Sequence, residues 1–111
     1  PKSGERLTLF NANLRGVQAT EVDISGADLT GSVLENCSFW RTHFTSSIFE
    51  QGTFQNCIFD GSIFTSANLQ GIKGRATSFK NADLTGADLG PAVLNIGGDK
   101  QRSDLRGADF E

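Results

Sequence analysis

The amino-acid sequence predicts a repeat solenoid that turns a corner every five residues, and three observations carry that prediction. The triplet Ala12-Asn13-Leu14 returns in one register as Ala27-Asp28-Leu29, Ala67-Asn68-Leu69, Ala82-Asp83-Leu84 and Ala87-Asp88-Leu89, and a last time as Ala108-Asp109-Phe110. Counting in fives from Leu9 to Leu94 meets a large apolar side chain at every step except Ala19 and Gly74. Two residues before each of these sits a small or modest side chain, from Ala12 and Val17 through Cys37, Thr42 and Gly52 to Ala87 and Ala92. A helix would repeat its apolar face every 3.6 residues and a half-buried strand every two, so a sustained period of five means one corner per unit. Internal repetition of this kind outranks local propensity.

The stretches Ala27-Asp28-Leu29-Thr30-Gly31 and Ala82-Asp83-Leu84-Thr85-Gly86 follow one pattern: small residue, Asp or Asn, Leu or Phe, Ser or Thr or Arg, and often Gly. On those residues the chain resembles the pentapeptide-repeat family over residues 7–94 and again over 103–110. The resemblance implies an all-β fold, a right-handed quadrilateral β-helix (solenoid) of about five coils with about four pentapeptides per coil. Residues 1–6 are then a lead-in, and residues 7–111 are a single β-helix with an inserted loop at 95–101.

Such a tube has room for one large and one small side chain inside each five-residue side, and coils stacked at a ladder spacing of roughly 4.8 Å place each residue over the one about twenty later. The inward columns follow: Leu9, Leu29, Phe49, Leu69, Leu89; Leu14, Leu34, Phe54, Gly74, Leu94; Ala19, Phe39, Phe59, Phe79; and Ile24, Phe44, Phe64, Leu84. Phenylalanine concentrates in the middle coils. Each buried Phe or Leu contributes about 1.5–3 kcal/mol by leaving water, enough for a narrow core to hold a chain of this size. Cys37 and Cys57 stack at the small inward position. Parallel side chains at the ladder spacing are farther apart than the roughly 3.8 Å between β-carbons that a disulfide prefers, so both are expected to be free thiols. Two thiols without other ligands make no zinc site. At Gly74 the missing side chain is expected to be replaced by Ile72, which stands at a normally small position.

Leu94 and Leu105 are eleven residues apart where two repeats need ten, so Asn95, Ile96, Gly97, Gly98, Asp99, Lys100 and Gln101 are expected to bulge as a loop able to carry binding. A chain without an initiator Met is expected to be processed or cut from something longer. Phe110 fills a core position with only Glu111 after it, which is expected to favour missing sequence, a partner, or end-to-end self-association through the terminal coils. No apolar run approaches a membrane span and no signal-peptide pattern opens the chain, so no membrane insertion is expected.

Material for catalysis is scarce. His43 is the only histidine and points outward, with no nucleophile, base and acid in mutual reach, so the chain is expected not to be an enzyme and to need no cofactor or metal. The recurring glycines punctuate corners and form no phosphate loop. Function is expected on the outside. The residue before each core position is often acidic in the outer coils, as in Asp23, Asp28, Asp83, Asp88, Asp104 and Asp109, whereas the middle coils include His43, Ile48, Ile58 and Ile63 there. Stacking puts Ile63 over His43, with Ile58 on the neighbouring side and Trp40-Arg41 at the corner between. These five, Trp40, Arg41, His43, Ile58 and Ile63, form the candidate partner-binding site, since Trp and Arg are frequent interface anchors.

The function expected is therefore a non-enzymatic protein–protein interaction or structural module. The alternative implied by the family is protection of type II topoisomerases (gyrase) by a rod that imitates DNA. The formal net charge of −3 is modest for that role. Direct nucleic-acid binding lacks a basic stripe. By resemblance alone a cyanobacterial compartment or a plant thylakoid lumen is the setting implied, with cytoplasm as the alternative.

Overall fold

The structure is a computed structural model, and residues 7–91 are described. Six short strands are present: β1 (Asn13–Arg15), β2 (Gln18–Thr20), β3 (Val33–Glu35), β4 (Ser38–Trp40), β5 (Thr53–Gln55) and β6 (Lys73–Arg75). All pairings are parallel. One sheet runs β1-β3-β5-β6 and the other β2-β4, with Leu14 opposite Leu34, Leu34 opposite Phe54, Phe54 opposite Gly74, and Ala19 opposite Phe39. Single bridges extend the same register to the remaining sides, through Thr8, Asp28, Ile48, Asn68 and Asp88 on one and Asp23, His43, Ile63 and Asp83 on the other. The chain is thus an all-β right-handed quadrilateral solenoid in which residue n lies beside residue n+20. In chain order its four faces carry Leu9, Leu14, Ala19 and Ile24 in the first coil. The sheet through β1, β3, β5 and β6 shows four successive levels. The fifth coil and the loop expected at 95–101 lie outside the described residues.

Among the described residues the four inward columns hold, and Leu94 lies outside those residues. Phe44, Phe49, Phe54, Phe59, Phe64 and Phe79 are fully buried, as are Leu34, Leu69 and Leu84. Rings stack down the columns and meet edge-on across them. Phe39 and Phe59 are 5.6 Å apart and 8° from parallel, whereas Phe59 and Phe64 are 5.4 Å apart and 72° from parallel. Both arrangements suit the ring quadrupole. Ile72, two residues before Gly74, is fully buried, in keeping with the expected replacement.

The backbone takes a left-handed conformation at every fifth residue from Asn11 to Gly86, one per corner. This is the cause of the Gly and Asn at the fifth position, because those residues enter that region at least cost. The acids before the core residues have a structural task as well. The Ser25, Thr30, Thr85 and Gly90 N–H groups donate to Oδ1 of Asp23, Asp28, Asp83 and Asp88 at 2.9, 3.1, 2.9 and 3.0 Å, and Asn68 does the same for Gln70. An Asx turn of this type closes a bend with a local acceptor. The carboxyls of Asp23, Asp83 and Asp88 are lowered below the usual carboxylate range chiefly by side-chain hydrogen bonds from Ser25, Thr85 and Gln70 respectively, and next by these backbone N–H bonds.

Corners come in two forms. A closed corner has the N–H of the small inward residue donating to the carbonyl of the core residue three back, as in Ser32 to Leu29 at 3.0 Å and Ser62 to Phe59 at 3.1 Å. At the open corners after Leu14, Leu34 and Phe54, and after Ala19 and Phe39, that bond is absent. Side chains from the next coil supply substitutes at three of them. The Cys37 thiol donates to Leu14 O at 3.6 Å, the Cys57 thiol to Leu34 O at 3.2 Å, and the Ser62 hydroxyl to Phe39 O at 2.6 Å while accepting from Thr42 N–H at 3.0 Å. Cys37 and Cys57 are free thiols, and burial pushes Cys57 up to about 11. A thiol so protonated is a packing and capping group, not a nucleophile.

Candidate protein-binding site

The corner between the third and fourth faces changes form partway along the tube. It is open after Ala19 and Phe39, and closed after Phe59 and Phe79, where Ser62 and Ala82 make the turn bond. An open groove of about 500 Å³ lies along this edge. Thr20, Trp40, Asp60 and Lys80, successive residues of one outward column, line it together with Arg41, Gly61 and Asn81 of the next column. The step from open to closed corner falls inside the groove.

Trp40 ends β4 and is 43% exposed, one of four large hydrophobics so exposed among the described residues. Arg41 occupies the left-handed corner position at φ 49° and reaches back one coil, its Nη2 3.1 Å from Glu21 Oε1. Both partners of that pair are about two-thirds exposed, so it orients the guanidinium without adding more than about 1 kcal/mol. The Arg41 stem lies against Gly61, where an added β-carbon would meet its Cγ at 3.0 Å. Asp60 is tied into the next coil, with Oδ1 accepting from the Ser78 hydroxyl at 2.5 Å and from Lys80 N–H at 3.2 Å. Among the described residues the Lys80 ammonium has no ion-pair partner, leaving the groove one aromatic face, two cations and a fixed carboxylate.

Trp40 and Arg41 therefore stand at the corner between the third and fourth faces and line the groove. His43 is exposed on the fourth face between Asp23 and Ile63, and Ile58 lies on the third face between Ser38 and Ser78. Ile58 and Ile63 are half-buried and flank the groove without lining it. Asp60, Gly61, Lys80 and Asn81 went unnoticed in the sequence. The signal for them was present, since they stand one and two coils after Trp40 and Arg41 in the same register. The candidate loop Asn95–Gln101 lies outside the described residues. Among the described residues no cluster of His, Cys, Asp and Glu could hold a metal ion.

A family model described as a pentapeptide repeat region matches residues 27–110, and a second, described as pentapeptide repeats (8 copies), matches residues 8–36. The chain belongs to the pentapeptide-repeat family. Among solved structures it is similar to the pentapeptide repeat protein Rfr23 from the cyanobacterium Cyanothece 51142, with 18% identity, a TM-score of 0.55, and coverage of 94% of this chain and 87% of that one. It is also similar to a pentapeptide repeat protein of the Arabidopsis thaliana thylakoid lumen, with 14% identity, a TM-score of 0.51, and coverage of 93% and 60% respectively. The plasmid-mediated fluoroquinolone resistance protein QnrB1 aligns at 15% identity over 94% of this chain and 92% of that one, but its TM-score of 0.31 carries no structural argument. No curated protein matches the chain. Identities this low speak for the shared fold alone. Among the described residues no helix is long and apolar enough to cross a membrane.

Proposed function

We propose that this pentapeptide-repeat chain is a non-enzymatic interaction module that binds a protein partner along the edge between its third and fourth faces. The observation that carries the proposal is Trp40. In a column otherwise made of Thr20, Asp60 and Lys80, the chain's single tryptophan is held half-exposed on the rim of a groove, with a guanidinium beside it and an unpaired ammonium two coils on. Tryptophan and arginine are the side chains most often found at the energetic centre of interfaces, and a fixed carboxylate and two cations make a polar rim that sets register. His43, Ile58 and Ile63 extend the surface onto both adjoining faces.

The topoisomerase-protecting alternative draws on the acidic columns. Asp23, Asp28, Asp83 and Asp88 each cap a corner, so their presence has a cause in folding that needs no basic partner. A pull-down from lysate of the source cell tests the proposal, comparing the intact chain with Trp40→Ala and with Trp40→Ala combined with Ile58→Ser and Ile63→Ser, each checked for folding by circular dichroism. Loss of a captured protein with folded Trp40→Ala supports the groove, and retention by the triple variant removes it. A supercoiling assay with a type II topoisomerase addresses the alternative separately.

A further inference from the structure

At three successive levels of the groove the corner N–H is already spent. Those of Glu21, Arg41 and Gly61 donate to Trp40 O, Asp60 O and Lys80 O of the following coil at 2.9, 3.0 and 2.9 Å. A partner strand therefore cannot be added to this edge by main-chain pairing, and recognition falls to side chains. Trp40 and Lys80 stand in one outward column two coils apart, which is about 9.6 Å at the ladder spacing. A β-strand does not match that interval, since the residues on one of its faces recur at about 6.7 and 13 Å. A polyproline II segment does, because three residues make one turn and side chains i and i+3 point the same way about 9.3 Å apart. Its backbone has no internal hydrogen bonds and stays solvated, so it asks nothing of the groove's main chain.

The two ends of that interval differ in chemistry. Trp40 is 43% exposed and supplies the aromatic wall on which proline-rich segments dock. The Lys80 ammonium has no ion-pair partner among the described residues, whereas Arg41 is engaged by Glu21. Asp60 lies midway, with Oδ1 accepting from the Ser78 hydroxyl and Lys80 N–H, at the level where residues i+1 and i+2 of the segment point away. We infer that the partner presents a polyproline II segment with a proline and a carboxylate three residues apart, the proline on Trp40 and the Asp or Glu on Lys80. This rests on the protein-binding role proposed for the groove, and it names the ligand that role requires.

Fluorescence anisotropy of the full chain with a labelled peptide Gly-Pro-Pro-Pro-Glu-Pro-Pro-Pro-Gly tests the inference, since that peptide offers the proline and acid in both chain directions. A second peptide carries Lys in place of Glu. The Glu peptide binds about fivefold more tightly at low salt, and the gap closes at about 1 M salt. Lys80→Glu, an exposed change checked by circular dichroism, reverses the order, and Trp40→Ala weakens the Glu peptide by about tenfold. Equal binding of the two peptides, an unchanged order in folded Lys80→Glu, or no binding of the Glu peptide at about 1 mM overturns the inference. The lysate pull-down separates this from failure of the groove. A captured protein lost with Trp40→Ala but held undiminished by Lys80→Glu upholds the groove and overturns the proline and acid ligand, whereas retention by the triple variant removes the groove itself.

Discussion

The corner after Phe39 and the corner after Phe59 stand in the same column, yet one is open and the other closed. The difference lies in the small inward residue. Open corners carry Val17, Val22, Cys37, Thr42 and Cys57; closed corners carry Ala12, Ala27, Ser32, Ser47, Gly52, Ser62, Ala67, Ala82 and Ala87. A closed turn draws that residue against the carbonyl of the core residue three back. At Gly52 an added β-carbon would come within 2.9 Å of Phe49 O, the very atom that accepts its turn bond. The open corners are thus the ones with branched or sulfur-bearing side chains. Ile72 is the exception, and its turn bond is the longest of the closed set at 3.4 Å.

The largest effect is expected from forcing a closed corner open. Gly52→Val should lose about 2–4 kcal/mol in urea unfolding by combining overpacking with a broken turn bond, and a loss below about 1 kcal/mol would dissolve the rule that side-chain size selects the corner. Removal of the substitute acceptor at the step comes next. Ser62→Ala strands Thr42 N–H and Phe39 O and should cost about 1–3 kcal/mol. Ser47→Ala should be neutral or stabilising, because that buried hydroxyl has no partner. Equal losses from the two serines would mean that the open corner needs no substitute.

The smallest effect concerns pH. Asp23, Asp83 and Asp88 are lowered in the folded chain by side-chain hydrogen bonds from Ser25, Thr85 and Gln70 and then by their corner N–H bonds, so their contribution is present above the unfolded carboxylate range, about 4, and is lost as pH falls through the lower folded values. Amide exchange at Ser25, Thr85 and Gly90 should accelerate relative to open-corner amides as pH drops through that window, after correction for intrinsic rates. Asp83→Asn should make Thr85 insensitive while keeping its acceptor, as Asn68 does for Gln70.

The columns, the register, the stacked thiols and the exchange of Gly74 for Ile72 were all legible in the sequence, because packing inside a narrow tube leaves each inward position few alternatives. Two things were not. The corner form was written in the distinction between Val, Cys or Thr and Ala, Ser or Gly at the small position, but a size limit becomes visible only when the turn's carbonyl is placed. The groove is not legible in the residues before the core positions, because Trp40, Asp60 and Lys80 each follow one. An outward residue acquires its neighbours from other coils, so its meaning depends on a register that must be folded before it is read.

The pairing of each residue with its counterpart twenty positions on also gives the chain an arithmetic of insertion. Adding or deleting a whole coil returns every downstream residue to its own face. Adding or deleting a single pentapeptide keeps every inward residue inward, yet rotates everything after it by a quarter turn. A chain altered that way between Arg41 and Asp60 would still build a tube, but it would carry Asp60 and Lys80 to a different edge from Trp40. Length changes in this protein can thus rewrite its surface while leaving its interior grammar intact.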